Sequence, residues 1–313
     1  MTSSPSPAIS VIIPHLNQPG QLGTCLRSLA AQNYDLTEVE IIVVDNGSRE
    51  LPTEICRPYA NVQLASEETP GPGPARNKGI GISRAPILAF IDADCIADGN
   101  WLQAIADAFR NPATEVIGGD VRIALADSSR MTMLEAYESI YAYRQQEYIE
   151  RQGFSGTGNL AMRRAVHQKV GPFAGIGVAE DREWGQRATA IGTTIAYWPP
   201  MKVFHPARKT FAELRAKWDR HVAHDYAEQV HTRLDRLRWL GKAGALAISP
   251  IWETARILKS ERLDTAEHRL LAFRVLVGVR LHRALRAFAV LFRTERATRG
   301  HQWNRGHTNG PHK

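Results

Sequence analysis

Residues 87–94 read ILAFIDAD, an apolar run of strand length that ends in two aspartates separated by one residue. The same kind of short apolar run occurs at residues 9–14 (ISVIIP), 40–45 (EIIVVD) and, more weakly, 61–65 (NVQLA). Helical patterns lie at residues 21–31, 74–83 and 101–109. Near-continuous apolar strands that alternate with helices are typical of a mostly parallel sheet covered on both faces. The sequence therefore predicts an α/β fold.

The composition is that of an ordinary globular protein. The chain has 313 residues, of which 43% are hydrophobic and 23% charged, so a mainly disordered chain is excluded. Three scattered cysteines are too few for a disulfide framework or a Cys-x-x-Cys metal site. The N-terminus lacks the features of an export signal, and no stretch approaches about 18 uncharged apolar residues. We therefore expect a cytoplasmic protein.

Charge is distributed unevenly along the chain. Residues 1–205 hold 17 Lys and Arg against 22 Asp and Glu, whereas residues 206–313 hold 22 against 10. A basic region of this kind suits nucleic acid, an anionic membrane or an acidic substrate. No basic motif interleaved with aromatic residues is present, and counterion release alone gives only unspecific binding, so we expect no nucleic-acid partner.

Strand patterns disappear from residue 210 onward, which indicates a change of architecture. Helices are predicted there at residues 211–230, 241–259 and 265–292, with Pro250 breaking or kinking the middle one. We expect two domains, a catalytic one at residues 1–210 and a basic helical region at residues 211–313. The polar tail of that region, from residue 301, is expected to fray.

The strongest functional signal is the pair Asp92 and Asp94. Successive strand residues alternate faces, so the two carboxylates point the same way and repel each other unless a cation or a hydroxyl-rich ligand lies between them. A hard divalent cation such as Mg²⁺, which prefers oxygen ligands and substrate phosphates, fits this position. A polar turn that closes the strand is the alternative, and the pair alone leaves both open.

Polar residues follow the other predicted strands as well, at the edge where open α/β sheets bind their ligands. Asn17 follows the first strand, and Asp45 and Asn46 end the second. The loop at residues 70–79 (PGPGPARNKG) then opens a helix that contains Arg76. Glycines before a helix N-terminus with basic residues inside it suit a phosphate, although neither standard glycine-rich phosphate motif is satisfied in this loop.

In their order and spacing these motifs resemble the family 2 glycosyltransferases, which use nucleotide-diphosphate sugars on the fold called GT-A. The resemblance covers about residues 8–210. The segments that carry it are residues 10–14 with Asn17, 45–48 (DNGS), 75–80 (ARNKGI), 92–94 (DAD), 156–164 (GTGNLAMRR) and 180–181 (ED).

The resemblance implies a role for each matching residue. The nucleotide would be bound by Pro14, Asn17, Asp45, Asn46, Arg76 and Asp92. Asp94 and His205 would hold a divalent cation, Mn²⁺ or Mg²⁺, and Asp181 would be the catalytic base, with Glu180 and Glu183 as alternatives. Asn46 stands where the family's nucleoside motif has a second aspartate, and its carbonyl oxygen can still accept the N3–H of a uracil or thymine.

The implied activity is inverting transfer of a sugar from a nucleotide-diphosphate donor to a glycan or lipid-linked acceptor, in surface polysaccharide or glycoconjugate synthesis. Two alternatives stay open. A sugar nucleotidyltransferase uses a similar sheet and a carboxylate-held metal, but normally has a glycine-rich loop directly after the first strand. A basic binding module without catalysis is the other.

The last predicted helix suggests where such an acceptor is met. Within residues 269–293 no acidic residue interrupts a mixture of apolar residues and arginines. At about 100° per residue, five arginines share one broad face: Arg269, Arg280, Arg283, Arg286 and Arg293. An interfacial helix with these arginines at the headgroups would hold the enzyme on the inner face of an anionic membrane. Packing of this helix on the catalytic domain is the alternative.

Overall fold

The computed structural model of the chain describes residues 6–127 and 130–292. Within these residues it contains eight strands: β1 Ile9–His15, β2 Val39–Asp45, β3 Val62–Ser66, β4 Ile87–Ile91, β5 Ile96–Ala97, β6 Val116–Ala124, β7 Asn159–Arg163 and β8 Ile195–Pro206. The α-helices up to the last strand are α1 Pro19–Ala30, α2 Thr53–Cys56, α3 Pro72–Ile82, α4 Trp101–Phe109, α5 Met133–Tyr141, α6 Gln145–Gln152, α7 Arg164–Val170 and α8 Glu180–Ala190. Four more follow: α9 Phe211–Gln229, α10 Arg233–Ile248, α11 Pro250–Lys259 and α12 Ala266–Val290.

The strands form one mixed sheet with the order β3-β2-β1-β4-β7-β6-β8-β5. The first four strands are parallel, whereas β7 pairs antiparallel with both β4 and β6, and β5 pairs antiparallel with β8. The chain passes from β1 outward to β3 and then returns to the other side of β1 as β4. This reversal opens a crevice beyond the carboxyl ends of β1 and β4, the usual ligand site of an open α/β sheet.

The predicted α/β class is confirmed. The three main strands, predicted at residues 9–14, 40–45 and 87–92, lie within one residue of those limits. The later strands were not predicted, and their sequences explain why. β6 contains two adjacent glycines (VIGGDVRIA) and β8 two adjacent prolines (IAYWPPMKVFHP), so neither has a continuous apolar run. Their pairing depends on neighbours that are distant in the sequence, which a local pattern does not contain.

The described residues divide into two compact units, one of residues 6–122 and 144–205 and the other of residues 123–143 and 206–292. The sheet unit has its core on both faces of the parallel strands, and all seven residues of β1 are buried. One cluster joins Phe90, Leu160 and Trp184, and Phe90 packs edge-on against Phe173. Its cysteines Cys25, Cys56 and Cys95 are free and buried.

The helical unit is built around α12, which packs against α5, α9, α10 and α11. Its main core includes Tyr137 and Ile140 of α5 and Val275 and Val279 of α12. The predicted boundary at residue 210 therefore missed one element. Residues 123–143 belong with the helices because the apolar face of α5 is buried by α12, although 125 residues separate Tyr141 from Ala266.

The predictions for the C-terminal third of the chain fall partly inside and partly outside the described residues. Pro250 breaks the middle helix, as predicted, and begins α11. The fraying predicted for the tail from residue 301, and Arg293 of the predicted arginine face, lie outside the described residues. No helix of the described residues is long and apolar enough to cross a membrane.

Candidate active site

Polar side chains gather at the carboxyl ends of the central parallel strands. His15 is the last residue of β1 and Asp45 the last of β2, and the two are paired in the sheet register. Asp92 and Asp94 follow directly after β4, the neighbour of β1 on its other side. The topology thus brings together the polar residues that follow three of the predicted strands.

His15 and Asp45 form a buried pair at the floor of this crevice. The backbone N–H of Gln18 donates to Nε2 of His15 at 3.2 Å, so Nδ1 carries the ring proton and donates it to Oδ1 of Asp45 at 3.0 Å. His15 was not among the predicted site residues. Its position at the end of the first strand was the signal that could have identified it.

Asp45 uses its second carboxylate oxygen to hold the turn that follows β2. Oδ2 accepts hydrogen bonds from the backbone N–H groups of Gly47 at 3.1 Å and Ser48 at 2.9 Å. Burial raises the pKa of Asp45, but the hydrogen bonds from Ser48 and His15 outweigh it and hold the pKa below its usual value. Asp45 is therefore an anion whose two oxygens are engaged within the chain.

Asn17 connects this turn to the end of β1. It has a positive φ of 53°, its backbone N–H donates to Oγ of Ser48 at 2.8 Å, and its Oδ1 accepts from the backbone N–H of Arg49 at 3.0 Å. Asn17 is exposed, whereas Pro14 is buried within β1 opposite Val44. Of these two predicted nucleotide contacts, only the asparagine offers its side chain at the surface.

Asn46, which is predicted to contact the nucleotide base, is engaged in hydrogen bonds within the chain. The residue has 0% of its surface exposed, and its Oδ1 accepts the backbone N–H of Gly71 at 2.7 Å. Its Nδ2 donates to the backbone carbonyls of Glu67 at 2.9 Å and Thr69 at 2.8 Å. The amide therefore braces the loop before α3, where Gly71 has a positive φ of 124° that favours glycine.

Arg76 is buried and bridges two acidic residues from distant segments. Nη2 donates to Oδ1 of Asp92 at 2.7 Å, and Nη1 donates to Oε1 of Glu180 at 2.8 Å. Only 3% of Arg76 is exposed, and its guanidinium is engaged by these protein carboxylates. The sequence-based prediction gave it a nucleotide phosphate as its partner instead. Charges buried this deeply persist when they are paired and hydrogen-bonded.

Asp92 and Asp94 differ in their surroundings. Burial raises the pKa of Asp92, Arg76 opposes this and Asp94 adds to it, and the balance leaves the pKa above its usual value. Asp94 faces His205 instead, with Oδ2 at 3.2 Å from Nε2 of the imidazole. Both Asp94 and His205 are partly exposed. The predicted metal ligands are thus brought together from the end of β4 and from β8.

Gly158 allows Asp92 to occupy this position. A Cβ atom on residue 158 would lie 2.6 Å from Oδ2 of Asp92, closer than real Cβ contacts. The next residue, Asn159, is buried and accepts the indole N–H of Trp101 at 2.9 Å. Its amide donates to the carbonyls of Asp120 and Met201, so this residue ties neighbouring strands together.

Asp181 lies in the first turn of α8, next to the residue that Arg76 binds. Burial, together with the neighbouring charge of Glu180, raises the pKa of Asp181 to about 6, although the backbone N–H of Arg182 donates to its Oδ1 at 2.7 Å. Glu183, the other alternative base, forms an ion pair with Arg187 at 2.9 Å. Asp181 is thus the acidic residue of this turn with neither an arginine partner nor an ordinary pKa.

These features are those of a known enzyme family. The model for glycosyl transferase family 2 matches residues 10–171. The chain is also 34% identical to glycosyltransferase AglE of Haloferax volcanii over 223 residues, which cover 69% of this chain and 72% of that protein. This chain belongs to glycosyl transferase family 2.

Solved structures show the same fold. A mannosyltransferase from Pyrobaculum calidifontis, PcManGT, in complex with GDP-Man and Mn²⁺, is similar with a TM-score of 0.56 and 15% identity, over 93% of this chain and 89% of that chain. Residues 1–349 of TarS from S. aureus, in complex with UDP-GlcNAc, are similar with a TM-score of 0.51 and 18% identity, over 90% of each chain. The fold of this family 2 member is therefore of the GT-A type.

Membership of family 2 also resolves the alternatives that the sequence left open. The chain is a glycosyltransferase, and neither a sugar nucleotidyltransferase nor a binding module without catalysis. The predicted site residues fall into two groups in the structure. Asn17, Asp92, Asp94, Asp181 and His205 retain exposed or partly exposed side chains, whereas Pro14, Asp45, Asn46 and Arg76 are buried behind them.

Proposed function

We propose that this family 2 enzyme transfers a sugar with inversion from a nucleotide-diphosphate donor to a hydroxyl group of a glycan or lipid-linked acceptor. Asp181 accepts the proton of the attacking hydroxyl, and the nucleoside diphosphate leaves from the opposite face of the anomeric carbon. The sheet unit contains every residue to which the proposal gives a role in donor binding or in catalysis.

One observation carries the proposal, namely the bridge that Arg76 makes between Asp92 and Glu180. Asp92 belongs to the aspartate pair after β4, and Glu180 begins α8 one residue before Asp181. A single guanidinium with hydrogen bonds of 2.7 and 2.8 Å therefore fixes both segments, which are 88 residues apart in sequence. A donor site and an acceptor base must be adjacent for sugar transfer, and this bridge supports that arrangement.

The pKa of Asp181 supports its role as the base. A carboxylate with a pKa of about 6 is mostly ionised at neutral pH and is still basic enough to take a proton in the transition state. Glu183 is less suited to this role because its ion pair with Arg187 lowers its pKa.

Asp94 and His205 are proposed as ligands of a divalent cation. Among the described residues no group of three or more His, Cys, Asp or Glu side chains is arranged to hold a metal ion. A carboxylate and an imidazole 3.2 Å apart fit an ion whose remaining ligands come from water and substrate phosphates, as is usual for Mg²⁺. When bound, the cation would stabilise the negative charge of the departing diphosphate.

The nucleotide would contact Asn17 and Asp92, whose side chains are accessible, and the backbone of the turn after β2. The buried residues Pro14, Asp45, Asn46 and Arg76 would shape this site without touching the ligand. The similar structures contain GDP-Man and UDP-GlcNAc, so the fold accepts both purine and pyrimidine donors. The proposed donor is therefore a nucleotide-diphosphate sugar with either a purine or a pyrimidine base.

The acceptor is proposed to belong to surface polysaccharide or glycoconjugate synthesis in the cytoplasm. A lipid-linked acceptor would bring the enzyme to the inner face of the membrane, and the excess of basic residues after residue 205 supports an anionic surface as a partner.

Donor hydrolysis in the absence of acceptor tests the proposal. Purified enzyme is incubated with UDP-, GDP- and TDP-sugars, and released nucleoside diphosphate is measured with Mn²⁺ and after EDTA treatment. We expect release from one nucleotide class, loss of release in EDTA, and loss in Asp94→Ala. Asp107→Asn, which alters an aspartate on the exposed side of α4, is the matched control and should retain activity.

The opposite results are equally clear. Release of nucleoside diphosphate from none of the donors would overturn the proposed donor class. Full activity of Asp94→Ala in EDTA-treated buffer would overturn the role of Asp94 and of the cation.

A further inference from the structure

The helical unit exposes large apolar side chains that its core does not use. They lie on three helices: Leu234, Leu237, Leu240 and Ile248 on α10, Ile251, Trp252 and Leu258 on α11, and Leu270, Leu281, Leu285 and Phe288 on α12. Single exposed leucines are ordinary, but a set of this size on adjoining helices marks an interaction surface.

On α12 the exposed apolar residues form a narrow stripe. At about 100° per residue, Leu270, Leu281, Leu285 and Phe288 lie within about 60° of one another. The buried residues of the same helix, such as Val275 and Val279, lie on the opposite side. Leu285, at one edge of the stripe, is 70% exposed. The side of α12 that faces away from the helical core therefore carries large apolar residues, with the exposed Arg274 among them.

The same arrangement occurs on α10. Leu234, Leu237 and Ile248 lie within about 60° of one another, opposite the buried face that contains Trp239 and Ala243. On α11, Ile251 and Leu258 share a face with about 20° between them, and Trp252, which is 66% exposed, lies beside it. We call these three sets together the apolar stripes.

The helices that carry the apolar stripes are neighbours in the helical unit. Trp239 of α10 donates its indole N–H to the carbonyl of Ala287 in α12 at 2.8 Å. Glu253 of α11 pairs with Arg280 of α12 at 3.0 Å. Both α10 and α11 therefore pack against α12, so the three helices that carry the stripes adjoin one another.

Three arginines of the predicted face of α12 do not belong to that surface, which differs from the sequence-based prediction. Arg280 is paired with Glu253, Arg286 is 3.6 Å from Asp219, and the guanidinium of Arg283 lies 3.9 Å from the ring centre of Trp218. These partners belong to α9 and α11, so Arg280, Arg283 and Arg286 are turned into the helical unit and are half-buried. The apolar side is the one that remains for a partner.

Charge identifies the partner that fits the apolar stripes. Residues 206–292 contain 17 Lys and Arg against 9 Asp and Glu. Exposed basic residues accompany each stripe, with Arg238 and Lys242 on α10, Lys259 on α11 and Arg274 on α12. Apolar side chains with a tryptophan, accompanied by exposed cations, are the pattern of helices that lie in the headgroup region of an anionic bilayer.

We propose that the apolar stripes of α10, α11 and α12 insert into the surface of an anionic membrane, with the helices lying in the membrane plane. This inference rests on the proposed function in one respect: membrane attachment would bring the enzyme to a lipid-linked acceptor. Interfacial helices of this kind attach peripherally and reversibly.

Vesicle sedimentation of the full-length protein tests this attachment. The probes are vesicles of phosphatidylcholine alone and of phosphatidylcholine with phosphatidylglycerol. We expect binding to the anionic vesicles and weaker binding to the neutral ones. Each of three double variants should weaken partitioning roughly tenfold, because two large apolar contacts are lost: Leu285→Ser with Phe288→Ser, Leu237→Ser with Ile248→Ser, and Ile251→Ser with Trp252→Ser.

Two matched controls show whether vesicle binding depends on the apolar stripes in particular. Leu51→Ser changes an exposed leucine of the sheet unit and should bind vesicles like the unaltered protein. Arg286→Gln removes one arginine of the inward face and should leave vesicle partitioning within about twofold, since that side chain does not lie in the stripe. Thermal unfolding of every variant checks that a surface change has left the fold intact.

Three results would overturn the proposal. The first is absence of binding of the unaltered protein to anionic vesicles. The second is that the stripe variants bind anionic vesicles as well as the unaltered protein does, whereas Arg286→Gln no longer binds them. The third is a light-scattering result in which the unaltered protein self-associates through the stripes and only the variants are monomeric, which would make a second copy the occupant. Donor hydrolysis without vesicles is measured in parallel, and its absence would contradict the proposed function without changing the vesicle result.

Discussion

Asp181 and Glu183 lie on the same turn of α8, yet their surroundings shift their pKa values in opposite directions. Burial beside Glu180 raises the pKa of Asp181 to about 6, whereas a hydrogen-bonded ion pair with Arg187 lowers the pKa of Glu183. At Asp181 the folded state therefore binds a proton more tightly than the unfolded state, and at Glu183 it binds one less tightly. As the pH rises, the Asp181 carboxyl lowers the free energy of unfolding and the Glu183 carboxyl raises it.

Replacement of each carboxylate by its amide measures these effects. A raised pKa gives stability that is present below about pH 4 and is lost as the pH rises through about 6. Asp181→Asn should therefore raise the free energy of unfolding at pH 7.5 by roughly 1–3 kcal/mol, with the gain vanishing near pH 4. Its turnover should fall by roughly 10²–10⁴-fold because the base is gone.

Glu183→Gln is the matched control on the same helix. The stability that comes from a lowered pKa is present above about pH 4.5 and is lost as the pH falls, so this variant should be less stable at pH 7.5 by roughly 0.3–0.5 kcal/mol while retaining turnover. Denaturant unfolding at several pH values gives both comparisons. Normal turnover of Asp181→Asn would contradict the catalytic role of Asp181, and a loss of stability at pH 7.5 would contradict its raised pKa.

At the scale of elements, the loop between β3 and α3 depends on one amide. Asn46 accepts one backbone hydrogen bond from Gly71 and donates two, to the carbonyls of Glu67 and Thr69, from a fully buried position. An asparagine can satisfy all three groups because it has both an acceptor oxygen and a two-proton donor. An aspartate, which the family motif has at this position, could satisfy only the first.

Asn46→Asp should therefore destabilise this protein although it restores the family motif. Two carbonyls would lose their donor and face a buried carboxylate, at a cost of about 2–4 kcal/mol. Asn33→Asp, which changes an exposed asparagine bonded to Asn100, should change the free energy of unfolding by less than about 0.5 kcal/mol. Equal stability of the two variants in urea unfolding would contradict the bracing role.

The boundaries of the helices after residue 210 depend both on local sequence signals and on packing. The sequence predicted the break at Pro250 because proline cannot continue a helix in its interior. The start of α10 at Arg233 was eight residues earlier than predicted, and a local signal for it exists, since Thr232 and Asp235 form a capping box. The sequence pattern did not predict this start because α10 has exposed leucines opposite its buried face, which a half-buried amphipathic helix does not have.

At the scale of the whole molecule, the two units interleave along the chain. Residues 123–143 leave the sheet unit and contribute α5 to the helical core, where Ala136, Tyr137 and Ile140 are buried. A chain cut at the sequence-predicted boundary would keep α5 and lose the helices that bury it. Its apolar face would then be left without its partners.

A chain that ends at residue 210 should accordingly aggregate or bind a hydrophobic dye. Replacement of residues 123–143 by a glycine-serine linker in that shortened chain should restore a soluble monomer. The replacement removes α5 and, with it, the apolar face that has lost its partners. Size-exclusion chromatography with light scattering compares the two. A monomeric chain of residues 1–210 that binds no dye would show that α5 does not need the helical unit.

The sequence alone determined what depends on near neighbours. Continuous apolar runs specified the parallel strands, and the order of polar motifs at their ends specified the family, because both are periodic or contiguous along the chain. Only the tertiary structure decided which polar groups face the ligand and which are buried. Arg76 is turned inward by Glu180, 104 residues away. Three arginines of α12 are turned inward by Asp219, Glu253 and Trp218. Helical periodicity predicts that a helix has two faces, but the partners packed against it determine which face reaches solvent.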